Sequence, residues 1–194
     1  MNSTQNTQSA ASGASLTGKA LRVLAGVALL TASAKIQVPF WPVPMTLQVA
    51  AMMFLAAGFG LRLGTATMLA YLAAGAAGLP VFAGTPEKGI GLAYMLGGTG
   101  GYLAGFLAAT AIVGFAADRL PKLATLPAML LGLGAIYALG LAWLAQFVPA
   151  DKLLTYGFTP FIAGDLVKVA LAAMLIMGAP KVLMAKLRGT GSDA

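Results

Sequence analysis

Residues 63–86, 89–117 and 123–150 of this 194-residue chain contain no charged side chain. Each run is long enough for the roughly 20 residues that a helix needs to cross a bilayer. Only 9% of the residues are charged and 59% are hydrophobic, against about 25% charged in an average soluble domain. The mean hydropathy is +0.88. The chain therefore reads as an all-α integral membrane protein, one compact bundle with too little polar sequence for a soluble domain. Its 25 glycines suit helices packed closely in lipid, where small residues let backbones approach.

The charges divide the remainder. Residues 1–18 carry none and are rich in Ser, Thr, Gln, Asn and Ala, a composition unable to bury a core and read here as a disordered tail. Between Arg22 and Arg62 the only charge is Lys35. That stretch is too long for one helix and contains "VPFWPVP", whose Pro39, Pro42 and Pro44 remove amide donors and favour extended backbone. The spacing predicts helix 1 over about 20–37, a proline-aromatic loop, helix 2 over about 45–60, and spans at 63–86, 89–117, 123–150 and 153–180. Six helices form a transmembrane domain at 19–188, followed by a flexible tail at 189–194. With six spans both termini share a side, and that side collects Lys19, Arg22, Arg62, Arg119, Lys122, Lys181, Lys186 and Arg188, eight of twelve basic residues. By the positive-inside rule both termini are cytoplasmic, and most of the net charge of +7 is this asymmetry rather than a nucleic-acid surface.

Absences narrow the chemistry. With no cysteine and no histidine, the usual zinc sites, thiol reactions, disulfides and histidine acid–base catalysis are excluded. "GASLTGKA" at 13–20 nearly matches a phosphate-binding loop, but Ala20 replaces the metal-binding hydroxyl and no strand precedes it. ATP hydrolysis is therefore not expected of this chain. "TASA" at 31–34 resembles a signal-peptide cleavage site, and cleavage there would leave five spans.

Two charges interrupt the last span. Asp165 and Lys168 stand in "FIAGDLVKVALAAMLIMGAP", where a charge at mid-bilayer costs about 2.5–3.5 kcal/mol on insertion scales. At i, i+3 they share a helix face and can reach each other or a common ligand. A structural ion pair and a short proton relay are the competing readings. Elsewhere, Phe40 and Trp41 lie on the stiff turn before helix 2, with Thr46 and Gln48 in its first turn. Trp41 suits an interfacial anchor; Gln48, inside an apolar run, needs a helix partner or a ligand. The long connection 78–102 carries Phe82, Lys88, Tyr94 and the run Gly97-Gly98-Thr99-Gly100-Gly101 before Tyr102. Amides at such a helix start favour an anion, whereas Gly97, Gly101 and Gly105 at four-residue steps equally suit helix contact. Ala28 and Ala32 form a further small-residue step, ordinarily a packing feature.

"PFWPVPMTLQ", "GLPVFAG", "GGTGGYLAGF" and "FIAGDLVK" together resemble the BioY family, the biotin-binding substrate-capture (S) components of energy-coupling factor (ECF) transporters, over residues 20–188. The resemblance implies retention of helix 1, a six-helix fold with cytoplasmic termini in the bacterial inner membrane, and a pocket near the outer face. It implies biotin as cargo rather than cofactor, with no cofactor of the chain's own. It implies a transmembrane coupling protein, met through Ala28 and Ala32, with paired ATPases as partners. Some members occur without dedicated partners, so a solitary, self-associating facilitator is the alternative. Gly98 stands where the family commonly has proline, which bears on loop stiffness. On this reading Asp165 and Lys168 meet the ureido ring, and Phe40, Trp41, Phe82 and Tyr94 wall the apolar parts. The amides near Thr99–Gly101 and Tyr102, aided by Gln48, Thr46 or Lys88, receive the carboxylate, and loops 36–45 and 80–98 close over the ligand. A passive channel, an intramembrane enzyme with Asp165 as base, and a scaffold are the rival classes.

Overall fold

The structure is a computed structural model that describes residues 3–38 and 45–189. Phe40 and Trp41 lie outside the described residues. Five helical stretches among them are long and apolar enough to cross a membrane: Leu16–Lys35, Gln48–Ala76, Gly100–Arg119, Lys122–Leu144 and Ala150–Gly178. The first belongs to α1 (Ser3–Lys35) and is followed by a two-residue antiparallel ladder, β1 (Gln37–Val38) with β2 (Met45–Thr46), pairing Gln37 with Thr46 and Val38 with Met45. Helix α1 is assigned from Ser3, within the stretch 1–18 whose composition led to the expectation of a disordered tail. No proline interrupts that stretch, and extending a helix already nucleated takes far less free energy than starting one.

Helix α2 (Gln48–Ala76) is two helical arms joined at a kink. Gly60, at φ 76° and ψ −176°, breaks it. A Cβ on Gly64 would stand 3.4 Å from the Cα of Ala56, whereas eight residues of straight helix rise about 12 Å. The two arms, 48–59 and 61–76, therefore fold back on one another. Only glycine tolerates that positive φ, and a Cβ there would also meet the Asp118 carboxylate.

The second arm ends at Ala76 rather than reaching residue 86, because Gly78 (φ 93°) and Pro80 turn the chain out of helix. Next come α3 (Gly91–Met95), α4 (Gly100–Arg119) and α5 (Thr125–Leu144). The last long stretch divides into α6 (Leu153–Gly157) and α7 (Thr159–Gly178), and α8 (Lys181–Arg188) closes the described chain. Phe158 (φ −133°) separates α6 from α7, with Pro160 in the first turn of α7.

Glycines set the α4–α5 contact. A Cβ on Gly105 would stand 2.7 Å from the Cα of Ile136, and one on Gly101 would meet the Leu139 carbonyl and Trp143. The bundle has a basic end. There Asp118 accepts from the Leu61 amide at 2.9 Å. Arg188 donates to the carbonyl of Ala117 at 2.8 Å, Lys122 donates to that of Ala179 at 2.9 Å, and Gly189 lies against Arg22. Apolar side chains such as Leu24, Leu131, Leu171 and Leu175 are exposed around the bundle, as lipid contact requires.

Candidate functional site

Helix α7 is amphipathic in the sense a membrane demands. Asp165, Lys168, Val169, Ala172, Ala173 and Ile176 are buried, while Leu166, Val167, Leu171, Met174 and Leu175 are exposed. Spacing of three and four puts the only two charges of this helix on the face turned to the bundle. Both are 6% exposed. Counting from Thr159, at the end away from the basic one, Asp165 sits about 9 Å and Lys168 about 13.5 Å along the axis.

Lys168 Nζ donates to Asp165 Oδ1 at 2.9 Å. The other carboxylate oxygen, Oδ2, accepts from the hydroxyl of Tyr137 on α5 at 2.7 Å. Asp165 is thus oriented from two helices and able to accept further bonds, since each oxygen has a second lone pair. Phe158 packs edge-on against the Tyr137 ring at 4.9 Å, and Met45 of β2 lies over Gly164, where a Cβ would collide with its thioether. The arrangement offers a fixed acceptor beside a fixed donor, an ion pair in a water-poor interior where such bonds are strong.

A second cluster gathers four of the other predicted residues. Gln48, 4% exposed, donates to the Tyr71 hydroxyl at 2.9 Å, which donates to the Val81 carbonyl at 3.0 Å. Gln48 has therefore found a helix partner. Phe82 stacks on Tyr94 (5.1 Å, 18°), meets Tyr71 edge-on (5.3 Å, 83°) and covers Gly75. The Tyr94 hydroxyl donates to the Ala83 carbonyl at 2.8 Å. Burial pushes the Tyr94 phenol upward, with the Thr99 hydroxyl beside it partly offsetting the shift, so it stays neutral.

The remaining residues face other tasks. The Gly100 amide donates to Gly97 and the Tyr102 amide to Thr99. Gly101 packs against α5, and the Tyr102 hydroxyl donates to Gly157 at 2.7 Å. Thr46 is half-buried in the ladder, and Lys88 is exposed with its stem over Gly84. Ala28 and Ala32 are exposed on α1, opposite buried Leu30, Ser33 and Ala34. Tyr137 and Met45 escape sequence reasoning. Tyr137 had a signal, as the one hydrogen-bonding side chain between residues 128 and 142, but nothing pointed it toward Asp165. A groove of about 460 Å³ at the basic end, lined by Phe54, Met174, Leu175, Leu183 and Leu187, is mostly apolar and holds no such pair.

A multi-pass bundle of apolar helices, with an oriented acid–base pair facing its interior among the described residues, defines an integral membrane protein. A model of the BioY family matches residues 3–185, and the chain belongs to that family. It is similar to a probable biotin transporter of Pyrococcus horikoshii, 41% identical over 149 residues that cover 77% of this chain and 88% of that one. It is also similar to a biotin transporter of Thermotoga maritima, 39% identical over 157 residues, covering 80% and 91%. Among solved structures, the S-component for biotin from an ECF-type ABC transporter matches with a TM-score of 0.65 at 26% identity, covering 91% of this chain and 92% of that one. This is a family of transport proteins rather than enzymes.

Proposed function

We propose that this chain captures biotin from the outer side of the bacterial cytoplasmic membrane, as the substrate-binding subunit of an ECF-type transporter. The observation that carries the proposal is the buried Asp165–Lys168 pair, oriented by Tyr137. A ureido ring presents two N–H donors and one carbonyl acceptor, and the pair supplies a carboxylate to accept and an ammonium to donate. The apolar portion is assigned to Phe82 and Tyr94, which stack on one another. Of the donors expected for the carboxylate, the Gly100 amide, the Tyr102 amide and hydroxyl and the Gln48 amide group already donate within the protein, so the carboxylate is assigned to the region of Thr99 and Gly101 with Thr46 and Lys88. The chain has no energy source of its own, and inward release is driven by ATPases acting through a coupling protein that meets Ala28 and Ala32. Asp165→Asn is expected to weaken biotin binding at least tenfold, about 1.4 kcal/mol, and Tyr137→Phe by a smaller factor, in titrations of folded protein. Unchanged affinity in both variants would sink the assignment.

We further infer six crossings with both termini cytoplasmic, the arms of α2 counting as two. The arms rise about 18 and 24 Å, short of the roughly 30 Å core, so thinning of the bilayer accompanies them. Because the chain has no cysteine, single cysteines report topology cleanly. A membrane-impermeant maleimide added outside should label Leu79→Cys and spare Arg62→Cys. Labelling of both from one side would refute the six-span arrangement.

A further inference from the structure

Lys35 enters the sequence only as a stray charge, yet all three of its ammonium protons are committed. Its Nζ donates to the carbonyl of Phe82 at 2.9 Å, to the carbonyl of Thr85 at 2.6 Å and to the Thr85 hydroxyl at 2.9 Å. The Thr85 hydroxyl in turn donates to the Phe82 carbonyl at 2.7 Å, and Thr85 is only 4% exposed. No described carboxylate pairs with Lys35, so the charge is held by neutral oxygens alone. Bonds to a charged donor are about twice as strong as neutral ones. The carbonyls of Val81 and Ala83 are taken by Tyr71 and Tyr94. Side chains from α1, α2 and α3 thus pin residues 81–85 as a cap.

The same last turn of α1 holds a second cover. The Leu47 amide donates to the carbonyls of Ser33 (3.1 Å) and Ile36 (3.3 Å), which fixes β2, whose Met45 lies over Gly164 beside Asp165. Meanwhile α1 is the loosest of the long helices. Its spanning window is 17% buried, against 39–56% for the other four, so it meets the least resistance to displacement.

We propose that Lys35 is a positioning residue that makes α1 and the 81–85 cap move as one unit. A displacement of α1 then lifts the cap and the Met45 cover together and sets how long ligand is retained. The proposal rests on the reading of this chain as a biotin-capturing protein. It assigns control of release to the end of α1 rather than to independent motion of the 80–98 connection.

The test uses full-length protein with Lys35→Met, which keeps the stem and removes the donors, Thr85→Val, which removes one partner, and Lys35→Arg, which keeps donors. Two readouts are taken: the rate of biotin release from loaded protein, and amide hydrogen exchange over 78–90 in ligand-free protein. Lys35→Met is expected to speed release at least tenfold and to speed exchange, Thr85→Val less so, with Lys35→Arg nearest to wild type. Unchanged exchange in Lys35→Met, or in Thr85→Val should the first variant not fold, overturns the tether. Faster exchange with unchanged release overturns its control of the ligand. If the wild-type chain binds no biotin, the capture reading fails instead, and the exchange measurement still decides whether Lys35 holds the cap.

Discussion

Replacing Asp165 by Asn and Lys168 by Met in the same chain is expected to leave a folded protein that binds biotin at least 100-fold more weakly. That factor is about 2.7 kcal/mol, a modest demand on two hydrogen bonds to charged groups, each worth about 1.5–3 kcal/mol. The double variant separates two roles that either single variant confounds. Removing one member of a buried pair leaves the other charged and unpaired, at a cost of about 3–5 kcal/mol, whereas replacing both is often neutral. Lys168→Met alone should therefore lower the midpoint of thermal unfolding. Adding Asp165→Asn should recover most of the loss, because the side-chain amide so introduced keeps a carbonyl that accepts from Tyr137. Binding should not recover with it. The check is a biotin titration beside an unfolding curve, both in detergent. If the double variant keeps its affinity within about threefold, the two residues serve only each other, and the pocket must be sought elsewhere.

The pair was legible in the sequence because an uncharged background makes two charges conspicuous and a spacing of three makes them neighbours. Their third partner was not, since Tyr137 reaches Asp165 across 28 residues and two helices. The same limit hid the tasks of Lys35 and Tyr71, whose partners are loop carbonyls with no side-chain signature. Span boundaries followed from charge where a charge ends the span, as at Arg119, and shifted where backbone ends it, as at Gly78 and Phe158. The fold-back at Gly60 was anticipated as a break near Arg62, yet its close return of Gly64 on Ala56 depends on which glycine takes positive φ. Composition likewise announced close packing without saying where. Gly97 at the start of the four-residue series meets only its own loop, whereas Gly101 and Gly105 meet α5.

That distinction supports the second large effect. Gly105→Ala is expected to destabilise the protein by about 1–3 kcal/mol, the usual range for overpacking, while Gly134→Ala on the partner helix should be neutral or slightly stabilising. Both replace a helical glycine by the best helix former, a change favoured by about 1 kcal/mol on propensity alone. They differ in what the new methyl meets. Nothing lies within 4 Å of a Cβ on Gly134, but one on Gly105 would stand 2.7 Å from the Cα of Ile136 and 3.1 Å from its carbonyl oxygen. The obstacle is backbone, so trimming Ile136 to Ala should not rescue Gly105→Ala, and rescue by that trimming would show the contact to be a side-chain clash. Relief must come from moving α5 away from α4. Tyr137, next in sequence to Ile136, then shifts relative to Asp165, 2.7 Å from its hydroxyl. Gly105→Ala is accordingly expected to weaken biotin binding as well as stability, and Gly134→Ala to change neither by more than about 1 kcal/mol. Equal behaviour of the two variants in unfolding and in titration would refute the assignment of Gly105 as the spacer that sets the site.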